Sequence, residues 1–324
     1  MIRKTSLFIM ASMLFWASGL AQQPTPEDMP QEMIWVDRSG HVLGRVGDAQ
    51  AAIYYPRLSP DNRFIAVSAR DGNGNQAGRN IWVHDVEKGT KRQVTFGRGN
   101  NNFPVWSPDR NKIAFTSSRS RTYQLYLLDL KSGREEMIME TETREFPNDW
   151  SPDARHLSFT QDHGSTDPIH NLFLLRMDKD QYAPLELLKK PPIWYDSAVF
   201  SPDGNYLAYA SNAAGPWEVY VLSLENPSQH WQVSRGLSSG WAGGGGQPRW
   251  RADGRELFYM MGNDTMMSVV VSTQGAFTHD KPEKLFALPG MKGNFPDETP
   301  WRHKYDVTRD GQRFLFVRRR LGNA

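Results

Sequence analysis

One phrase recurs along this chain, and Phe103-Pro104-Val105-Trp106-Ser107-Pro108-Asp109 is its clearest copy, followed at once by an apolar run, Lys112 to Thr116. Other copies read Arg57-Leu58-Ser59-Pro60-Asp61, Asn148-Asp149-Trp150-Ser151-Pro152-Asp153 and Val199-Phe200-Ser201-Pro202-Asp203-Gly204. Two degenerate copies follow, Pro248-Arg249-Trp250-Arg251-Ala252-Asp253-Gly254 and Tyr305-Asp306-Val307-Thr308-Arg309-Asp310-Gly311. Pro presets φ for the second position of a turn, Ser and Asp hydrogen-bond local amides, and Gly or Asn supplies a left-handed position. With apolar residues on both sides, each copy is predicted to be the hairpin turn from an inner strand to the next. The turn aspartates stand at 61, 109, 153, 203, 253 and 310, steps of 44 to 57 residues that point to a propeller or a solenoid.

Strands are predicted on both sides of every turn. The first complete unit has Phe64 to Ser68, Asn80 to Val86 and Arg92 to Thr95; later units repeat this with Gln124 to Leu130, Asn171 to Leu175, Glu218 to Leu222 and Met266 to Val271. Runs this apolar suit sheets covered on both faces. The ends are unequal: Met33 to Asp37 and His41 to Val46 form an outer pair without inner strands, while Lys304 to Arg318 supplies inner strands without an outer pair. The sequence therefore predicts an all-β fold, a six-bladed propeller over residues 33–320 closed by pairing N-terminal outer strands with C-terminal inner strands. Closure leaves no open sheet edge, whereas a solenoid would leave both ends uncapped.

The first residues read as a cleavable export signal: Arg3 and Lys4, an apolar run from Leu7 to Trp16, then the small residues Gly19 and Ala21. Cleavage is expected after Ala21, residues 22–32 as a proline-containing disordered leader, and 321–324 as a tail. The apolar run is short for a membrane span, so periplasmic or secreted material without stable membrane insertion is expected. Removing the signal takes two basic residues and leaves 36 basic against 36 acidic, which speaks against a nucleic-acid surface. No cysteine is present, which excludes disulfides, thiolate metal sites and cysteine nucleophiles.

The repeat resembles the TolB-like, WD40-like Pro-Asp propeller repeats of bacterial envelope proteins, and the resemblance covers residues 33 to 320. In wording, Ile34 to Gly40, Gln247 to Tyr259 and Tyr305 to Phe314 look most like the propeller attached to some bacterial membrane Ser/Thr kinases, whose His-Arg-Asp and Asp-Phe-Gly motifs are absent here. The resemblance implies a stand-alone interaction or sensing module and offers no catalytic residues to carry over.

Few motifs suggest chemistry. Gly236-Leu237-Ser238-Ser239-Gly240 fits a nucleophile pattern, yet it lies between two blades, without a following helix or α/β domain, and reads as a loop. Gly243 to Gly246 lacks the Lys-Ser/Thr of a phosphate loop. His163 and His170 with Asp162 and Asp167 could ligate a metal, but they border an insertion whose spacing no helix fixes, so no metal or cofactor is assigned. Propellers bind through the loops leading into each inner strand. Those loops carry Asn100, Asn101, Asn102, Arg144, Glu145, Trp194, Tyr195, Asp196, Trp241, Trp301, Arg302 and His303, residue types enriched at recognition hot spots. The expectation is a monomeric, non-enzymatic binding module for a protein or envelope ligand. The alternative is a lyase or hydrolase acting on polysaccharide or peptide, which requires His163, His170 or His303 to converge with carboxylates.

Overall fold

The computed structural model describes residues 30–70, 78–164, 170–178, 182–236, 244–262, 264–288 and 303–320; among them every regular element is a β-strand. The first strands are β1 (Pro30–Asp37), β2 (Val42–Leu58), β3 (Phe64–Arg70), β4 (Asn80–Asp85) and β5 (Lys91–Gln93). Next come β6 (Asn101–Trp106), β7 (Lys112–Ser117), β8 (Gln124–Asp129) and β9 (Glu135–Met139), in a sheet of that order. The pattern recurs in β10 (Arg144–Trp150), β11 (His156–Asp162), β12 (His170–Arg176) and β13 (Pro184–Leu188). It recurs again in β14 (Tyr195–Phe200), β15 (Tyr206–Ser211), β16 (Glu218–Ser223) and β17 (His230–Gln232). In the following sheet β18 (Gly245–Trp250) and β19 (Glu256–Met261) lead to β20 (Thr265–Ser272), which carries both β21 (Thr278–His279) and β22 (Glu283–Ala287). The last strands, β23 (Tyr305–Val307) and β24 (Arg313–Arg319), join the first five in the order β23-β24-β1-β2-β3-β4-β5. All pairings are antiparallel.

Two boundaries depart from the sequence reading. β1 starts at Pro30, inside the stretch read as a disordered leader, because Gln31 and Glu32 continue the ladder opposite Arg319 and Arg318. Glu32, buried there, accepts from Arg318 Nε at 2.8 Å. The strand expected to stop at Val46 runs on to Leu58: its first part pairs with β1 up to Ala51, and its last part with β3 from there. Register shifts at Tyr54 and left-handed backbone at Ala52 (φ 51°) and Tyr55 (φ 56°) let one strand serve both partners.

The turns hold one geometry through all six copies. The amide of the fourth residue donates to the carbonyl of the first in each, at 2.8 to 2.9 Å. That fourth residue is left-handed whether it is Asn62, Arg110, Ala154, Gly204, Gly254 or Gly311 (φ 61° to 75°). In the Ser and Thr turns the first side chain donates to the aspartate, as from Ser107 Oγ to Asp109 Oδ1 and Thr308 Oγ1 to Asp310 Oδ1, both 2.6 Å. Where Ser is missing, Arg251 donates its Nε (2.7 Å) and Nη2 (2.8 Å) to Asp253.

Apolar side chains pack between consecutive sheets. Ile81 and Val83 meet Trp106 and Phe115, Leu127 meets Trp150 and Phe159, and Leu174 meets Phe200 and Leu207. Val221 packs with Trp250 and Tyr259, and Phe258 and Met266 pack with Ile34, Phe314 and Phe316. Within the seven-stranded sheet, Met33, Leu315 and Val317 pack against Ile53 and Ile65. Such face-to-face burial at about 25 cal/mol per Å² is the main force holding the sheets together.

Candidate functional site

Each inner strand has an upstream end, where the preceding loop delivers it, and a turn end. At roughly 3.3 Å rise per residue, a six-residue strand separates the two by about 20 Å. Bulges in β6, β10, β14 and β18 interrupt the ladder between these ends, beside left-handed Phe103, Ser197 and Gln247. A bulge re-aims the side chains next to it, which is how strand residues come to differ in orientation here.

At the upstream end, the candidate residues divide by burial. Asn101 and Asn102, expected as recognition residues, are instead buried: Asn101 Nδ2 donates to Asn80 Oδ1 (2.9 Å), and Asn102 Oδ1 accepts from Ser68 Oγ (2.7 Å) and Arg79 Nε (3.0 Å). Glu145 is fully buried and accepts from Thr141 and from Thr143 Oγ1 (2.6 Å); burial pushes its carboxyl up. The two asparagines tie adjacent sheets together, and Glu145 holds the loop that leads into its own strand. His303 is also buried, and its Nδ1 accepts from Arg249 Nη2 at 2.8 Å; burial beside two guanidiniums holds its pKa well below the usual imidazole value. Trp241, Trp301 and Arg302 lie outside the described residues, as do the glycine-rich motif from Leu237 to Gly243 and Asp167.

Arg144, Trp194, Tyr195 and Asp196 come together. Arg144 Nη2 meets Asp162 Oδ2 at 2.6 Å, with the arginine side chain 40% exposed. Asp162 Oδ1 lies 3.7 Å from His170 Nε2, and His170 Nδ1 lies 3.3 Å from Asp196 Oδ2. The imidazole stacks on Trp194 with centroids 4.7 Å apart, and Trp194 meets Trp217 edge-on. Tyr195, the next residue, is buried against Tyr209. His163 turns aside to Asn171 Nδ2 (3.3 Å). Among the described residues no three His, Asp or Glu side chains are arranged to hold a metal. Half-buried Tyr123, Phe103 and Phe146, none of them expected as a site residue, form a chain of rings with Tyr55: Tyr55 stacks on Phe103 (3.8 Å), which meets Phe146 (5.0 Å).

At the turn end, the residue two places before the turn's Ser or its equivalent varies: Arg57, Val105, Asp149, Val199, Arg249 and Asp306. All six line one cavity of about 430 Å³. Arg249 Nε donates to Asp306 Oδ1 at 3.1 Å, and Leu58 N donates to Asp306 Oδ2 at 2.7 Å. Arg57 donates through Nη2 to the Asn148 carbonyl, and burial together with Arg249 pushes its pKa down to about 10. This charged layer went unrecognised, although aligning the repeat shows charge at a position that is otherwise apolar.

Repeated antiparallel sheets over the described residues, packed face to face with an aspartate turn after each inner strand and a proline in four of the six, mark a β-propeller of the TolB-like type. The family model described as TolB beta propeller domain matches residues 20–183, half of the chain, which belongs to that family. The Tol-Pal system protein TolB of Alcanivorax borkumensis is 30% identical over 90 residues, 28% of this chain and 20% of that protein, so the match spans a fifth of the relative's length. A chain from Agrobacterium tumefaciens assigned as a TolB superposes with a TM-score of 0.66 over 90% of this chain and 98% of its own, at 17% identity. TolB from Acinetobacter baumannii gives 0.57 over 80% and 65%, also at 17% identity. The two structures establish likeness of fold.

Proposed function

We propose that the chain is an exported six-bladed propeller that binds a protein partner or envelope ligand through the upstream ends of its inner strands. The ring reading is supported by the ladder from β1 to β24, Gln31 opposite Arg319 through Asp37 opposite Arg313, which seats the chain's last strands beside its first. Export to the periplasm is supported by the signal-like residues 1–21, with cleavage after Ala21. The kinase-associated propellers remain a likeness of wording alone.

The observation that carries the binding assignment is the Arg144–Asp162–His170–Asp196 chain stacked on Trp194. It breaks the repeat, joins two sheets, and carries a partly exposed guanidinium at one end and an indole stacked on its imidazole. Arg and Trp are the side chains that dominate interface hot spots. Trp241, Trp301 and Arg302 belong to the proposed face by sequence. The test is crosslinked affinity capture from envelope extract with the unaltered protein and an Arg144→Ala/Trp194→Ala variant. A specific partner lost from the variant is expected; equal capture by both would refute the assignment.

His170 also supports a second reading. Of the three histidines named for an enzyme, it lies between two carboxylates, an arrangement able to transfer a proton. Turnover of envelope polysaccharide or peptide that His170→Gln abolishes would favour it; an unaltered product profile in the presence of protein would remove it.

A further inference from the structure

The axial cavity at the turn ends has a built interior. Its volume of about 430 Å³ lies within the roughly 300–1,000 Å³ of small-molecule sites. Part of its wall is apolar, with Pro60, Pro108, Pro152 and Pro202 at the turns and tryptophans, among them Trp106 and Trp150. Deeper in stand the charges, and most are committed. Asp306 accepts from Arg249 and from the amides of Leu58 and Val307 (2.7 and 3.0 Å). Arg249 donates further to the Pro248 carbonyl and to His303, both at 2.8 Å, and Asp149 accepts from Phe200 N at 2.9 Å.

Arg57 differs. It is 7% exposed and its Nη2 is bonded to the Asn148 carbonyl, whereas among the described residues its Nε and Nη1 meet no acceptor and, not being sealed off, open to the cavity that Arg57 lines. A guanidinium has five N–H donors, and an anion can replace water on the open ones with charge-assisted hydrogen bonds. We propose that the cavity binds a carboxylate with an apolar body, its oxygens on the open N–H groups of Arg57 and its hydrocarbon against the proline and tryptophan wall. A monoanion fits the local charge. Arg249 already carries the Asp306 carboxylate, and Asp149 accepts from the Phe200 amide while burial pushes its carboxyl up, so Arg57 is the guanidinium left for one further carboxylate. A phosphate dianion would set a second negative charge beside Asp306 in the same cavity. A free carboxylic acid and the C-terminal residue of a peptide present the same chemistry. The site lies at the opposite ends of the inner strands from Arg144 and Trp194, so it stands or falls separately from the upstream face.

Titration calorimetry on the full chain, with tryptophan fluorescence in parallel, tests this with four probes and a control. The probes are 4-methylpentanoate, N-acetyl-Ala-Val-Leu with a free C-terminus, and the amide of each; inorganic phosphate is the control. At least one carboxylate should bind, with its amide at least tenfold weaker and phosphate no better than the amide. Tighter binding of the peptide acid or of the free acid identifies the source. Arg57→Met should weaken carboxylate binding at least tenfold. Absence of binding by both acids, amides that bind as well as their acids, or full binding by a folded Arg57→Met protein would each overturn the proposal. If Arg57→Met does not fold, the acid–amide comparison on the unaltered protein decides alone.

Discussion

At the turn ends of the inner strands, six copies of one motif close the same hydrogen bond, hold the same left-handed fourth residue and engage the same aspartate. Twenty or so ångströms away, by strand length, the upstream ends share almost nothing. There Asn101 is buried in an amide network, Arg144 pairs with Asp162, and Trp194 stacks on an imidazole. Repetition at one end is what packing equivalent sheets face to face requires. Freedom from it at the other is what the proposed recognition would use, because identical loops offer no distinct surface. The charges of the turn-end cavity fall between these cases: they stand at equivalent positions of the repeat, but their identities alternate.

The largest test of that contrast sets an ion pair buried on both sides at the turn end against one upstream whose arginine is partly exposed. Asp306→Ala strands Arg249, 5% exposed, and leaves the Leu58 amide unbonded. Breaking such a pair is expected to cost about 3–5 kcal/mol in denaturant unfolding. Arg144→Ala, whose partner Asp162 is buried but keeps the Gly164 amide as a donor, is expected to cost less, about 1–3 kcal/mol. Equal losses would erase the distinction.

Next is a pH effect from His84, on β4 opposite Lys91. Among the described residues neither ring nitrogen has a partner, and burial, reinforced by the Lys91 charge, pushes its pKa down to about 4 from 6.5. The unfolded chain takes up this proton below about pH 6.5 while the folded chain resists until about pH 4. Its contribution is therefore complete above pH 6.5 and falls as pH drops toward 4, by about 3 kcal/mol at most. Melting followed from pH 7 to pH 4 should show this fall, and His84→Leu should flatten it. A wild-type slope retained in the variant would place the proton elsewhere.

Smaller still is the turn itself. Ser107→Ala removes one hydroxyl that bridges Asp109 and the Lys112 backbone. A loss of about 1 kcal/mol is expected from its hydrogen bonds, with the same substitution at Ser151 and Ser201 matching it within error. Unequal losses would mean that the copies are equivalent in shape but not in energy.

How much of this was legible in the sequence follows the same division. The all-β class, the turn positions and most strands could be read because Ser-Pro-Asp chemistry is local and recurs. Even the degenerate turn at Arg251 could be placed by its Asp253-Gly254 ending. The start of β1 at Pro30 was missed because Gln31 and Glu32 are polar and are held by partners some 286 residues away, such as Arg318. The burial of Asn101, Asn102 and Glu145 was equally hidden. An amide or carboxylate at a loop-to-strand junction looks the same in sequence whether it faces a ligand or its neighbour's hydroxyl. The convergence of Asp162, His170 and Asp196 across β11, β12 and β14 needed the register of two sheets.

One measurement tests the central division directly: thermal unfolding and partner capture made side by side on two double variants. Arg144→Ala/Trp194→Ala alters the upstream end, and Ser107→Ala/Asp109→Ala alters a turn. The first is expected to lose its captured partner while keeping most of its melting temperature, and the second to melt lower while capturing normally at a temperature where it is folded. The reverse pattern, or loss of capture in both folded variants, would contradict it.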